Sequence, residues 1–325
     1  MTTICHSIYD SITADWLKNT FLLGVDLTDD DGNDFPDILF EQAIRSAVSH
    51  IENDLGIVID PWEVKNERHD ASLKQWAEVW PIRFDQRPVK SFDSWSVQFG
   101  SFPEVDMPDG WMMGVDPRYG QYHIMPSEGS VVSGQLWQGF PLLPSLFNAS
   151  QGFIPGYVKV NYTAGFDVRC GTATLPQGDT DLQVVLDPEV NDRYRVQITV
   201  TDAQGAANVL ARNVSRDGFL IRAGTAPSTG DATISWVADT IPNDMKQAIG
   251  QLAAMLPLDI AGDLIAGAGI ASFSTSMDGI SQSIGTTSSA TNSGYGSRVL
   301  QFSKELKSSM QALRAAWRLP GVGAV

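Results

Sequence analysis

The feature that most constrains this 325-residue chain is that its hydrophobic period changes along its length. Phe40, Ile44, Ala47, Val48, Ile51 and Leu55 recur at steps of three and four, which draws one apolar stripe down a helix. From Trp62 to Phe166 the period is two, in Trp95, Val97 and Phe99, in Tyr122 and Ile124, and in Val158, Val160 and Tyr162. Helical spacing returns at Met245, Ile249, Leu252 and Leu256, and once more at Val299, Phe302, Leu306, Met310, Leu313 and Trp317. A helix pattern does not sit still as a strand, so these segments must fold as different elements. The expected class is α+β: a helical and β-rich domain, an inserted small β-sandwich, and a long C-terminal amphipathic helix.

Punctuation sharpens these elements. Asp34 is a candidate N-cap, Pro36 suits a first turn, and Asp37 and Glu41 complement the helix dipole. Gly56 supplies the stop, and a shorter helix is expected over 13–23. Arg87-Pro88-Val89 and Asp116-Pro117 mark turns between strands, and the proline-rich stretch 140–155 reads as an ordered loop. Between 171 and 238 short strand-like runs at 194–201, 207–214, 218–222 and 232–237 alternate with turn signals. The expected division is therefore an inserted β-sandwich over 171–238 and a discontinuous main domain of 1–170 with 239–325. Pro242 opens the next helix and Pro257 is expected to end it. The Ser, Thr and Gly tract 267–295 is too polar for a core, and Ile270, Phe273, Ile280 and Ile284 are spaced to pin an extended loop against another surface. The last helix is expected over 297–318, closed by Pro320-Gly321.

Composition excludes several classes. With 43% hydrophobic and 18% charged residues the chain can bury a core. The formal charge of -16 opposes general duplex binding, because nucleic-acid affinity comes chiefly from Lys and Arg on phosphates. Acids crowd the first seventy residues (Asp26, Asp29, Asp30, Asp31, Asp34, Asp37), while Arg298, Lys304, Lys307, Arg314 and Arg318 charge the last helix, a layout that suits subunits meeting head to side. The apolar stretch 248–271 is interrupted by Pro257, Asp259 and Asp263, so no membrane span is expected. No secretion signal is expected either, and Cys5 and Cys170, without metal-type spacing, are read as two free thiols.

Catalytic and metal-binding patterns are sparse. His6, His50, His69 and His123 are scattered over different elements. Placing Gly32 at the sixth position of a calcium loop puts Leu27 first and Ile38 twelfth, where carboxylates are required. The glycine pairs at 267–269 and 294–296 lack the dinucleotide fingerprint. No catalytic residue, metal or cofactor is expected, and the chain is not expected to be an enzyme.

Taken in order, FEQAIRSAVSHIENDLGI at 40–57, PIRFDQRPVKSF at 81–92, GYVKVNYTAGF at 156–166 and IPNDMKQAI at 241–249 resemble the head-tail adaptor, or connector, proteins of tailed bacteriophages. ASFSTSMDGISQS at 271–283, followed by a basic amphipathic helix, is similar to the C-terminal part of larger neck proteins of phages with contractile tails. The segment 171–238 departs from the small adaptors and resembles the H-type lectin sandwiches of phage tail proteins. The resemblance implies a virion protein, assembled in the host cytoplasm, that forms a ring of identical subunits, usually twelve, between head and tail. Its implied partners are the portal protein and tail or neck terminator proteins, with genomic DNA passing through the channel without sequence-specific binding and no membrane. Residues expected at the portal or the neighbouring subunit are Phe302, Leu306, Leu313, Arg314, Trp317, Arg318, Phe273 and Ile280. Arg222 and Trp236 are the candidates in the inserted module, whose alternative role is to bind a glycan or another virion protein.

Overall fold

The computed structural model describes residues 7–29, 31–72, 81–98, 103–124, 153–186, 190, 193–266, 272–277, 280–285 and 295–317. Two compact units contain them, one of residues 56–167 and one of 1–55 with 168–325. The strands of 171–238 fall with the long helices in the second unit.

The unit 56–167 is built from β1 (Trp62–Ser72), β2 (Pro81–Arg83), β3 (Val89–Val97), β4 (Val105–Met107), β5 (Met112–Asp116), β6 (Gln121–Ile124) and β7 (Phe153–Ala164). They form two antiparallel sheets, ordered β1-β7-β3-β4 and β2-β6-β5. Period two does its work on β7: Val158, Val160, Tyr162 and Ala164 are fully buried in the core. Phe84 stacks on Tyr122 and Tyr162 at centroid separations of 4.4 and 4.6 Å. On β7's other face, buried Lys159 pairs with Glu104, which also accepts from the Ser96 hydroxyl. Gly120 takes φ +68°, and a Cβ added there would lie 2.9 Å from the Phe84 carbonyl oxygen, so a side chain would not fit. The edge strand β1 carries Glu63, Lys65, Glu67, Arg68, His69 and Asp70, and its ladder slips between Val64 and Glu67, where Asn66 takes φ +57°. Charges and a bulge of this kind discourage pairing with a foreign strand.

The other unit holds α1 (Ala14–Thr20), α2 (Asp37–Leu55), β8 (Val168–Leu175), β9 (Asp181–Val185), β10 (Arg195–Asp202), β11 (Leu210–Ser215), β12 (Gly218–Arg222), β13 (Ala232–Asp239), α3 (Asn243–Ala266), β14 (Ser272–Met277), β15 (Ile280–Gly285) and α4 (Gly296–Trp317). Thr13 caps α1 by accepting the Trp16 N–H at 3.1 Å. All six residues of the α2 stripe, from Phe40 to Leu55, are buried. The packing on α3 uses small residues: Ala248, Ala253, Ala254 and Ala261 are buried, and Gly250 lies directly under the Phe21 ring. Sheets β10-β13-β8 and β11-β12-β9 share a core of Leu175, Val184, Phe219, Ile221, Ile234 and Trp236. β14 and β15 form a separate two-stranded ladder.

Several expectations are corrected. The fold is not that of a helix-rich adaptor: among the described residues, fifteen strands in five small antiparallel sheets outweigh four α-helices. Strands such as β2, β4 and β6 span only three or four residues, too few for their alternation to register in the sequence. α3 does not end at Pro257 but runs through it to Ala266. Proline removes one donor from the ladder, and burial of Leu258 and Ala261 beyond it offsets that loss. The expected extended loop over the Ser/Thr tract contains the β14–β15 hairpin. Cys170 is disulfide-bonded rather than free, and the chain has one other cysteine, Cys5. Spacing in sequence hid this, whereas β8 packs against the 3-10 turn Ile8–Asp10 near the N-terminus. No described helix is long and apolar enough to cross a membrane. Phe99, residues 140–152 of the expected loop, and Arg318 lie outside the described residues.

Candidate interaction surface

α4 is the element on which most of the expected partner residues fall. Its apolar stripe faces its own unit: Met310, Leu313 and Trp317 are buried, and Phe302 and Leu306 are half-buried. Phe302 meets Phe21 edge-on, with centroids 6.2 Å apart and planes at 74°. Two arginines fasten the helix near its ends. Arg298 Nη2 donates to the Phe21 carbonyl at 2.6 Å, satisfying a group left over just past the C-terminus of α1. Arg314 donates from Nε and Nη2 to both oxygens of Asp54, at 2.6 to 3.1 Å, and that carboxylate's hydrogen bonds and charge raise the guanidinium pKa above its ordinary value. In the middle, Glu305 accepts from Gln251 of α3 at 2.7 Å and from Gln301 at 2.8 Å.

What α4 leaves to solvent is a polar and basic strip that includes Lys304, Lys307 and Gln311. In the same unit Asp26, Asp29, Asp31, Asp34 and Asp37 are exposed around the turn before α2. The Asp29 carboxylate is taken up by the chain itself, accepting from the backbone of Asp31 and Asn33 and from the Asn33 amide. The Asn33 backbone bond leads the interactions that hold its pKa below the usual carboxylate value. No group of three metal-ligating side chains occurs among the described residues.

The expected residues therefore part company. Phe302, Leu306, Leu313, Arg314 and Trp317 come together, on a face directed at α1, α2 and α3. Phe273 and Ile280 sit on the hairpin, where Phe273 pairs with Ile284 and Met277 with Ile280. Arg222 and Trp236 do not converge. Trp236 is buried edge-on to Phe219, 5.3 Å between centroids, and lies against Gly171. Arg222 is exposed and closes a two-pronged ion pair with Asp181 on the neighbouring strand, at 2.6 and 2.8 Å.

Two polar clusters had no local signal in the sequence. Ser11, Asp239 and Lys246 meet in the interior of one unit, with the first two 228 positions apart. In the other unit Glu67 Oε1 lies 2.7 Å from His69 Nε2, Glu67 Oε2 accepts from the Tyr162 hydroxyl at 2.5 Å, and the Asp85 N–H donates to Oε1 at 2.9 Å. A cavity of about 170 Å³ lies among Tyr9, Ile12, Thr13, Ala14, Glu41, Ile44 and Arg45, with the Arg45 guanidinium 4.4 Å above the Tyr9 ring.

No family model matches the chain, and no curated protein matches it. A solved structure of a C-terminal portion of the R2 pyocin fiber of P. aeruginosa is 22% identical over 24% of this chain and 21% of its own, with a TM-score of 0.20. The chain thus spans about a fifth of that structure, a likeness too slight to bear on the fold or the role of this protein.

Proposed function

We propose that this chain is a structural component of a phage-like particle, a head-tail adaptor that assembles with copies of itself beneath a portal and extends its DNA channel. The observation that carries this reading is the order of the four segments that resemble adaptor proteins, together with the elements they occupy. Segment 40–57 spans α2, 241–249 opens α3, and the two helices pack on each other in one unit with α4. Segments 81–92 and 156–166 occupy β2, β3 and β7 of the other unit, where Phe92 pairs with Tyr162. Portal, neck or tail proteins are the proposed partners, and twelve is the proposed ring number. The excess of carboxylates, net charge -16, suits a channel that lets phosphates slide past without holding them. Neither catalysis nor a cofactor forms part of the reading.

Glycan recognition by the 171–238 strands is the weaker alternative, because Trp236 is core and Arg222 is already paired. The decisive experiment is imaging and native mass measurement of the purified full chain, alone and mixed with a portal ring. The expected result is a closed ring seated on the portal. A chain that stays monomeric and never binds portal overturns the reading.

A further inference from the structure

The unit that holds the helices carries a hole, and the other unit carries a protruding indole. The hole is the cavity of about 170 Å³ bounded by Tyr9 and floored by Ile12 and Ile44, each 1% exposed. A cavity of about 150 Å³ with apolar walls takes up benzene, so this one has room for a single aromatic ring. Two opposite charges line it as well. Glu41 stands one helical turn before Arg45 on α2, the favoured order and spacing for an ion pair. They form none: the Arg45 guanidinium lies 4.4 Å over the Tyr9 ring, and among the described residues no hydrogen bond or ion pair engages the Glu41 carboxylate. The cavity thus offers an apolar floor, one free acceptor and one cation already stacked on a ring. Trp62 is its counterpart. It opens β1, and period two sets it on the same side as Val64, which packs on the core of that unit. Trp62 overshoots the core and is 65% exposed, whereas Trp95, Trp111, Trp236 and Trp317 are 4% exposed or less. Tryptophan is highly buried on average and leads the residues that anchor interfaces.

We propose that Trp62 of one copy of this chain inserts into the cavity between Tyr9, Glu41 and Arg45 of the next. The ring fills the space over Ile12 and Ile44. Its N–H, a donor only, meets the Glu41 carboxylate, an acceptor only, and its π face takes the exposed side of the Arg45 guanidinium. Exposed aliphatic residues such as Leu23 and Ile38 match the apolar floor but bring no donor for Glu41. A second copy is favoured over a foreign partner because one sequence supplies both parts, and a residue 65% exposed fills no cavity of its own chain. Because knob and hole are different surfaces, the contact is heterologous and repeats from copy to copy until a ring closes. The inference rests on the self-assembly reading above, and it names the contact that joins neighbouring subunits.

The test uses three variants of the full chain, read by sedimentation velocity and native mass, alone and with portal. Trp62→Thr removes the knob and keeps a residue suited to a strand. Ala14→Leu fills the hole from its wall. Glu41→Ala removes the acceptor from an exposed helical turn and replaces Ala14→Leu in every comparison if that variant disturbs the fold. The expected variants keep the circular dichroism and Tm of the parent. Trp62→Thr assembles at least about thirtyfold more weakly, the loss that marks an interface anchor, and Glu41→Ala about tenfold more weakly through its lost hydrogen bond. Mixed in equal amounts, the knobless and the hole-filled chains pair once and stop at two subunits. Parent-like assembly of Trp62→Thr or of the cavity variants, or a mixture that does not pair, overturns this contact and leaves the adaptor reading standing. Cavity variants that assemble with themselves normally but no longer bind portal assign the hole to a foreign side chain and overturn it as well. A parent chain that never assembles, with or without portal, overturns both.

Discussion

Lys246 Nζ lies 2.5 Å from Asp239 Oδ2 in the interior of the unit that contains the helices, where the aspartate is 1% and the lysine 7% exposed. Ser11 completes the knot, donating to the same carboxylate oxygen at 2.8 Å and accepting from the ammonium at 3.0 Å, while the Ile241 N–H reaches the other oxygen at 3.2 Å. One residue comes from the N-terminal turn, one from the end of β13 and one from the first turns of α3. Lys246→Met leaves a buried carboxylate without its counter-charge and is expected to cost roughly 3–5 kcal/mol, the range for breaking a buried pair from one side. Ser11→Ala removes a neutral partner and is expected to cost about 1–3 kcal/mol. Urea unfolding of both variants and of the double variant checks this, with non-additivity as the signature of one shared network.

Gly250 has no room for a side chain. A Cβ there would overlap the Phe21 ring, the same ring that Phe302 approaches edge-on and whose backbone carbonyl Arg298 holds. Although alanine is the better helix former, Gly250→Ala is expected to destabilise by about 1–3 kcal/mol through overpacking. Pairing it with Phe21→Leu should recover part of the loss in a thermal melt, which a purely local helix effect would not show.

The helices α2 and α4 were legible because their stripes repeat over four or more turns and face one continuous core. Even so, periodicity in α4 reports only that a face is covered, not by what: Leu313 and Trp317 read equally well as a partner surface and as the intramolecular core in which they lie. Pro257 misled because proline's local cost is visible in sequence, whereas the tertiary packing that outweighs it is not. The Ser11–Asp239–Lys246 knot was invisible for a different reason. None of the three residues is unusual in its own neighbourhood, and only the approach of β13 and the N-terminal turn makes them a unit.

Glu67 gives stability a specific acid limb. Burial works to raise its pKa, but the bonds from His69, Tyr162 and the Asp85 N–H outweigh that and leave the pKa below the ordinary 4.5. A carboxylate with a depressed folded pKa contributes stability that is complete above its unfolded value and disappears as pH falls through the lowered one. Glu67→Gln is therefore expected to lower stability at pH 7 and to flatten the fall in stability below about pH 4.5. At the alkaline end burial holds Tyr122 and Tyr157 at about 12, so their contribution is present below 10 and is lost as pH rises through 12. Stability followed from pH 2 to 12 in chemical denaturation, parent against Glu67→Gln, checks both limbs.

The two sides of α4 predict opposite phenotypes. Leu313 and Trp317 are 4% and 3% exposed, so Leu313→Ala is expected to cost about 2–5 kcal/mol and Trp317→Ala about 3–5 kcal/mol by leaving cavities. Those variants should lose assembly only as a consequence of lost stability, and conditions that restore the fold should restore both. Lys304 and Lys307 lie on the exposed strip. Their joint reversal to Glu is expected to leave the urea midpoint unchanged while weakening association, if the basic strip of one copy meets the acidic turn around Asp29 and Asp31 of the next. The weakening should be largest in low salt and fade toward 0.5 M, where charges are screened beyond about 4 Å. Sedimentation at several salt concentrations reads this directly, and reversal without effect on association at any salt assigns the strip to solvent alone.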